Sequence, residues 1–187
     1  MSEPRVIVVT GLPGTGKSTL ARVLGARFLL PVLCKDAIKE PLLDMLGAHD
    51  AAASRRLSDA SFAALFAMAR ELSAARLSMV LEGNFRRGEH EPTLRNALAA
   101  AAPALSEPNI AQVLCTTPEP ERLARLSKRD GDPSRHPGHR DREQANVAAN
   151  ATANTFLELP GVRFVNNGSN GPEVLAALDD WWTSRTL

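Results

Sequence analysis

The sequence predicts a three-layer α/β fold, with one parallel β-sheet between two layers of helices, in a single domain over residues 1–187. Short apolar runs rich in Val, Ile and Leu alternate along the chain with longer segments in which Ala and Leu recur at helical spacing. Strands that alternate with helices pair in parallel, because each helix crosses one face of the sheet to reach the next strand. A chain of 187 residues can form one ordinary hydrophobic core and is short for two.

Five apolar runs are short enough to be strands that are buried on both faces of a sheet. These predicted strands are Arg5–Thr10, Pro31–Cys34, Ser78–Glu82, Ile110–Thr116 and Val162–Val165. Between and after them, helices are predicted at Lys17–Leu30, Ala37–Leu46, Ser54–Leu77, Pro92–Ala102, Pro118–Arg129, Glu143–Leu159 and Pro172–Arg185. Trp181 and Trp182 are expected to anchor the last helix on the sheet.

The most polar segment of the chain is Asp130–Arg142, with the sequence DGDPSRHPGHRDR. Its Pro, Gly, His and Arg content predicts an exposed loop, and we expect a lid over about residues 130–142 that closes on a substrate and excludes water. A solvated loop with incidental charge is the alternative. His136 and His139 have no third metal ligand close by in the sequence, which disfavours a metal site.

Charge and composition narrow the class of protein. The formal net charge of +1 argues against a protein whose main task is to neutralise nucleic-acid phosphates. No apolar run reaches the length of a membrane span, and the first residues, MSEPRVIVVTG, do not resemble a signal peptide. Cys34 and Cys115 both fall in apolar runs, which predicts buried, reduced thiols. We therefore expect a cytoplasmic protein without a membrane partner; the sequence indicates no oligomeric state.

A phosphate-binding motif lies between the first strand and the first helix. Gly11–Ser18 (GLPGTGKS) satisfies G-x-x-x-x-G-K-[ST] in the strand–turn–helix context that gives this pattern its meaning. Its glycines let successive backbone N–H groups point inward at an anion, and the helix dipole adds positive charge. In this chemistry Lys17 reaches the β- and γ-phosphates and the Ser18 hydroxyl binds Mg²⁺. The residues that we expect to bind nucleotide here are Gly11, Gly14, Thr15, Gly16, Lys17, Ser18 and Thr19.

Many classes of enzyme contain this motif, so other signatures must choose among them. The N-K-x-D signature by which GTPases recognise guanine is absent, and Asn166-Asn167-Gly168 is better interpreted as a strand-to-helix turn near the base. ATP-driven motors need an acidic pair at the end of a long apolar strand and a helical lid domain, for which the chain is too short. A small ATP-dependent kinase is the class that remains.

A carboxylate is expected on the acceptor side of such a site. Asp36 follows the second predicted strand, and in parallel sheets ligands collect at the carboxyl ends of the strands. It can orient an acceptor hydroxyl and take its proton. The alternative, that Asp36 is the N-cap of the helix starting at Ala37, is compatible with this role.

The segment GLPGTGKSTLARVLGARFLLPVLCKDAIKE, which begins at Gly11, resembles the start of the P-loop kinases related to polynucleotide kinase, chloramphenicol phosphotransferase and the zeta toxins. The resemblance implies a P-loop NTPase fold with a five-stranded parallel sheet in the order 2-3-1-4-5, and it implies that Asp36 is the catalytic base. Val80–Arg87 (VLEGNFRR) resembles the third-strand segment of those kinases, which has the pattern D-x-T-x followed by arginines. Glu82 stands in place of the aspartate of that pattern. Glu82 is then expected to hold Mg²⁺ through water.

The same resemblance makes Arg122, Arg125 and Arg129 equivalent to arginines that precede a lid. Arg125 and Arg129 are four residues apart and share a helix face, from which they could clamp the transferring phosphoryl group. Arg122 could stack on adenine. The alternative is that all three are solvated surface residues. Arg86 and Arg87 follow a strand end and are the candidate contacts to the acceptor.

The sequence therefore predicts a kinase that uses ATP and Mg²⁺ to phosphorylate a hydroxyl group of a small molecule. The acceptor could be an antibiotic, a sugar, a nucleoside or a similar metabolite, and its pocket is expected between Ala37–Leu46 and Ser54–Leu77. Two alternatives stay open: a kinase for the 5′-hydroxyl of a polynucleotide, and a regulatory protein that binds ATP without transferring phosphate.

Overall fold

A five-stranded, all-parallel sheet forms the centre of the protein, in a computed structural model that describes residues 3–47, 50–99, 109–130 and 154–184. The strands are β1 (Val6–Gly11), β2 (Val32–Cys34), β3 (Met79–Glu82), β4 (Ile110–Cys115) and β5 (Val162–Asn166). The helices in the described ranges are α1 (Lys17–Phe28), α2 (Lys35–Leu46), α3 (Ala51–Ala74), α4 (Glu91–Ala99), α5 (Glu119–Asp130) and α6 (Gly171–Thr183). The strand order β2-β3-β1-β4-β5 confirms the predicted three-layer fold and its topology.

Both faces of the sheet are covered, which is why β1, β3 and β4 are buried along their whole length. Side chains of α3 and α4 pack against one face, around Phe62 and Leu94. Side chains of α1 and α6 pack against the other face, around Leu24 and Leu178. Because these strands pair in parallel, the carboxyl ends of β1, β2 and β3 lie at one edge of the sheet.

The last helix is anchored as the sequence predicts. Trp181 belongs to the core on the α1 side, and Trp182 stacks on Phe28 with ring centroids 4.7 Å apart. Arg5 donates to the backbone carbonyls of both tryptophans, with its guanidinium 5.4 Å from each ring centroid. Within the described ranges, no helix has both the length and the apolar character needed to cross a membrane.

The helix after β2 begins earlier than predicted. It starts at Lys35, because β2 ends at Cys34 and the extended Cys34 is itself the N-cap residue. Asp36 therefore lies inside the first turn of α2, and the interpretation of Asp36 as the N-cap is wrong. The next helix, α3, also starts earlier than expected, at Ala51, because the side chain of Asp50 accepts a hydrogen bond from the Ala53 N–H at 2.6 Å.

The end of the predicted helix Glu143–Leu159 is not helical. Its described part, residues 154–159, consists of bends and irregular backbone. The buried side chain of Gln112 on β4 accepts from the Leu157 N–H at 3.1 Å and donates to the Leu159 carbonyl at 2.9 Å. These bonds occupy backbone groups that a helix would use. Residues 131–142 of the predicted lid and residues 143–153 of that helix lie outside the described ranges.

Candidate active site

The loop between β1 and α1 is built from glycines that no other residue can replace without strain. Gly11, Gly14 and Gly16 have φ values of 139°, 87° and 88°. A Cβ atom on Gly11 would lie 2.2 Å from the carbonyl oxygen of Cys115 on β4, so the loop starts in close contact with the neighbouring strand. The motif thus adopts a tight backbone turn at the carboxyl end of β1.

Lys17 is the first residue of α1 and is buried. Its Nζ donates to the Leu12 carbonyl at 3.0 Å, and the Thr15 hydroxyl donates to the same oxygen at 2.8 Å. Gly16 is the N-cap, so no side chain caps the first-turn N–H groups of α1 in the described structure. An uncapped helix N-terminus with a lysine ammonium beside it is suited to bind an anion.

A pocket of about 330 Å³ opens between this loop and α5. It is lined by Gly14, Gly16 and Thr19 from the loop side and by Arg125, Lys128 and Arg129 from α5. The Arg125 guanidinium lies 3.3 Å from the Gly14 carbonyl oxygen and is also paired with Glu121. Two of the predicted arginines therefore face the loop. Lys128 was not predicted, although its position three residues after Arg125 could have indicated it.

The third predicted arginine, Arg122, is buried under the loop. A Cβ atom on Gly14 would lie 3.1 Å from Arg122 Cγ, so the loop and α5 touch here. Among the described residues, Arg122 Nη1 has no hydrogen-bond partner, and Nη2 is 3.8 Å from the Glu119 carboxylate. Buried guanidinium nitrogens normally have an acceptor, which makes this atom a candidate contact for a ligand.

Glu82 occupies the carboxyl end of β3, beside the loop. The residue is 2% exposed, and the hydrogen-bond partner of its carboxylate within the described ranges is the thiol of Cys34 on β2. Burial, together with Glu82, raises the pKa of the Cys34 thiol to about 12. Burial raises the pKa of Cys115 to about 11, and this thiol feels both the positive charge of Lys17 and the negative charge of Glu82. Both cysteines are free thiols; Cys115 is buried and Cys34 is half-buried.

Asp36 lies in the first turn of α2, directly after β2, with its carboxylate half-exposed. Its Oδ1 is 3.1 Å from Nζ of Lys35, a residue that the sequence did not single out. The Lys35 side chain is buried, with its ammonium 5.8 Å from the ring centroid of Phe62. His90 packs against the same ring in a tilted arrangement at a centroid distance of 3.9 Å, and burial lowers its pKa. Lys35, Phe62 and His90 therefore form a partly aromatic wall beside Asp36.

The two arginines predicted to contact the acceptor pair with acidic residues in this structure. Arg86 binds both carboxylate oxygens of Glu89, at 3.0 Å and 2.9 Å, and Arg87 pairs with Glu158. Arg86 remains linked to the wall, because its backbone N–H donates to Nδ1 of His90 at 3.0 Å. No described contact brings Arg87 to Asp36 or Glu82.

Comparison with solved structures identifies the same architecture elsewhere. A kinase candidate from Chloroflexus aurantiacus J-10-fl is similar over 98% of this chain and 96% of its own, with 27% identity and a TM-score of 0.80. A sugar kinase from Janibacter sp. HTCC2649 is 18% identical over 98% and 96% of the two chains, with a TM-score of 0.60. The APS kinase of Mycobacterium tuberculosis, in complex with AMPPNP and APS, is 20% identical over 96% and 98%, with a TM-score of 0.54.

The Janibacter and Mycobacterium structures establish the likeness of fold alone. No curated protein matches the chain in sequence. Residues 6–155, by contrast, match the AAA domain family over a stretch that includes the loop, Asp36, Glu82 and the arginines of α5. With the motif, the strand order and the family match in agreement, the chain belongs to the AAA domain family and has a kinase-like P-loop NTPase fold.

Proposed function

We propose that this protein is a kinase that transfers the γ-phosphate of ATP to a hydroxyl group of a small molecule. The observation that carries the proposal is the shared pocket of the loop and α5, in which Arg125, Lys128 and Arg129 face the loop. A protein that only binds a nucleotide needs the loop and its lysine. Further cations directed at the phosphate-binding loop are what phosphoryl transfer requires, because charge develops on the transferring group.

Lys17, Arg125 and Arg129 are the residues to which we assign binding of the β- and γ-phosphates. The loop N–H groups from Gly11 to Ser18, with Thr19 at the start of α1, would hold the rest of the polyphosphate. We keep Arg122 as a nucleotide contact, and its unpartnered buried Nη1 supports this assignment.

Mg²⁺ is assigned to the hydroxyl of Ser18 and, through water, to the carboxylate of Glu82. A buried carboxylate whose described partner is a neutral thiol fits this role, because it lacks the counter-charge that burial demands. Within the described ranges, no group of three or more His, Cys, Asp or Glu side chains could hold a metal by itself. That pattern suits Mg²⁺, which is usually bound by one or two protein ligands together with phosphate oxygens and water. When bound, the ion neutralises phosphate charge.

Asp36 is the group that we assign as the base. Its half-exposed carboxylate lies at the carboxyl end of β2, two strands from the loop, where an acceptor can reach it. It would hold the acceptor hydroxyl and take its proton as the oxygen bonds to phosphorus. Arg86 and Arg87 stay predicted acceptor contacts, and they would have to leave Glu89 and Glu158 to act.

The proposal extends to the whole chain: a single cytoplasmic domain over residues 1–187, with a lid near 130–142 and no nucleic-acid or membrane partner. These features remain predictions.

The test is a search for a phosphorylated product. The protein is incubated with Mg·ATP and the small-molecule fraction of a cell extract, and mass spectrometry records compounds that gain one phosphate. The Lys17→Ala variant is the control. We expect at least one product that depends on Lys17. Phosphate on the 5′ end of an added oligonucleotide would favour the polynucleotide alternative, and Lys17-dependent ATP binding without any product would favour the regulatory one.

A further inference from the structure

A buried ammonium group lies directly beside the proposed base. Lys35 follows the last residue of β2, so the end of the sheet fixes its backbone, and its side chain is 8% exposed. Its Nζ lies 3.1 Å from Oδ1 of Asp36. No role in nucleotide binding accounts for this lysine, because it lies on the α3 side of the sheet, near Phe62, and does not line the pocket between the loop and α5.

The hydrogen bonds of Lys35 are incomplete. An ammonium group has three N–H donors, and among the described residues Asp36 is the one acceptor that it contacts. The face of Phe62 attracts the charge but accepts no conventional hydrogen bond. Leaving donors of a buried charge unbonded is costly, so a ligand oxygen at this position would be bound favourably.

Glycine at position 83 allows this arrangement. A Cβ atom there would lie 3.2 Å from the Phe62 ring and 3.4 Å from Lys35 Cβ. Lys35 and Phe62 therefore pack closely against the backbone that follows Glu82. The neighbouring Arg86 is a less available cation, because its guanidinium is bound to both oxygens of Glu89. Lys35, by contrast, contacts the proposed base directly.

Proton transfer changes the charge balance around Lys35. In the proposed reaction the acceptor oxygen bonds to the γ-phosphorus, the bond from that phosphorus to the bridging oxygen breaks, and the hydroxyl proton passes to Asp36. Asp36 is then neutral, and the ammonium of Lys35 has lost its counter-charge in a buried position. A negative group on the acceptor would replace it.

We propose that Lys35 binds a carboxylate or phosphate group of the acceptor, which makes the substrate an anionic alcohol such as a hydroxy acid or a phosphorylated polyol. Because Lys35 and Asp36 are in contact, the anionic group lies only a few bonds from the reacting hydroxyl. The inference rests on the proposed kinase function and narrows its substrate class.

Matched acceptors test the inference with Mg·ATP and the full-length protein. The pairs are glycerol and glycerate, ribitol and ribonate, and glycerol and glycerol 3-phosphate. We expect the anionic member to have a kcat/KM higher by about tenfold or more. Lys35→Met should abolish the preference mainly by raising KM, and Lys35→Arg should restore part of it. A preference of the wild type for the neutral members overturns the inference. So does a preference for the anionic members that persists in Lys35→Met.

A binding measurement covers the case in which none of these compounds is a substrate. Inorganic phosphate is titrated into protein saturated with Mg·AMP-PNP, and thermal unfolding is recorded. The matched control is Lys39→Met, which removes another buried ammonium one turn along α2, where Nζ donates to Ser54 Oγ at 3.0 Å. We expect phosphate to stabilise the wild type and Lys39→Met but not Lys35→Met. Equal stabilisation of all three proteins, or of none, contradicts the inference.

The two proposals fail in different ways. If no compound gains phosphate in a Lys17-dependent way, the kinase proposal fails whatever the phosphate titration shows. If ATP-dependent transfer occurs but is indifferent to Lys35 and to acceptor charge, the kinase proposal stands and the anionic acceptor is wrong.

Discussion

The two halves of the candidate site are built from different parts of the chain's chemistry. The nucleotide half, residues 11–19 with α5, is built around backbone, namely glycines with positive φ and an uncapped helix N-terminus. Side-chain cations such as Arg125 approach this backbone from outside the loop. The acceptor half is the carboxyl ends of β2 and β3 with the first turn of α2. It depends on side chains, namely a buried ammonium, a buried carboxylate and an aromatic wall.

This difference has a consequence for specificity. A backbone site for phosphate accepts few substitutions, because its donors are N–H groups in one fixed turn. A side-chain site can change its ligand by single substitutions that leave the fold intact. Proteins with this fold can therefore share a nucleotide half and differ in their acceptors. Variants should separate the halves: loss of Lys17 in the first weakens ATP binding, and changes in the second affect transfer or acceptor binding and leave ATP binding unchanged.

The largest effect is expected from Lys17→Ala, in the nucleotide half. Its ammonium lies against the loop, and its loss should lower phosphoryl transfer by about a thousandfold and weaken Mg·ATP binding. ATP consumption and titration with a fluorescent ATP analogue measure the two effects. Arg22→Ala, an exposed change on the same helix, should leave both unchanged. Undiminished ATP binding by Lys17→Ala would contradict the assignment of the loop.

Asp36→Asn should separate the two halves most clearly. We expect kcat to fall by about a hundredfold, because the amide cannot take the acceptor proton, while the Kd for Mg·ATP stays at the wild-type value. Steady-state kinetics with any acceptor found above, together with calorimetric ATP titration, gives both numbers. Asp44→Asn, an exposed change later in α2, is the control. Full turnover by Asp36→Asn would remove the base from the mechanism.

A smaller loss is expected when both arginines that face the loop are removed. The double variant Arg125→Ala, Arg129→Ala should lower kcat by about tenfold to fiftyfold, because charge-assisted hydrogen bonds to the transferring phosphate are lost. ATP should still bind, since the loop and Lys17 are intact. Arg70→Ala, at an exposed pair with Glu71 on α3, serves as the control in the same assay. Turnover equal to the wild type would show that α5 only packs against the loop.

The sequence was most informative where a local pattern dictates a local structure. Gly11–Ser18 requires a turn between strand and helix, and the spacing of Arg125 and Arg129 places them on one helix face, which lies beside the loop. The alternation of strands and helices predicts parallel pairing. The sheet order was implied by resemblance to known kinases, since periodicity alone does not order strands.

Features fixed by contacts distant in sequence were missed. Lys35 packs beside Phe62 from α3 and near Gly83 after β3, and neither is close to it in the chain. The end of the predicted helix at 154–159 is non-helical because Gln112, more than forty residues earlier, takes its backbone groups. The sequence gives no indication that Arg86 and Arg87 are paired, but in the folded protein they contact Glu89 and Glu158. No local pattern reveals such partners.

The smallest effect is expected from His90, and it concerns the stability of the acceptor half. Burial lowers the pKa of His90, whose Nδ1 accepts a hydrogen bond from the Arg86 backbone N–H and whose ring packs against Phe62. Glu89 and Asp59 oppose that shift, whereas Arg86 and Lys35 add to it. The unfolded chain therefore binds the proton more tightly than the folded protein does. The contribution of His90 to stability is complete above the unfolded pKa of about 6.5 and is lost as the pH falls below it.

Thermal unfolding between pH 8 and pH 5.5 should show this loss of stability in the wild type and a smaller loss in His90→Gln. If the two proteins lose stability in parallel over that range, His90 is not responsible. The Kd for Mg·ATP of the folded protein should be the same for both at every pH, because the nucleotide half makes no described contact with this ring.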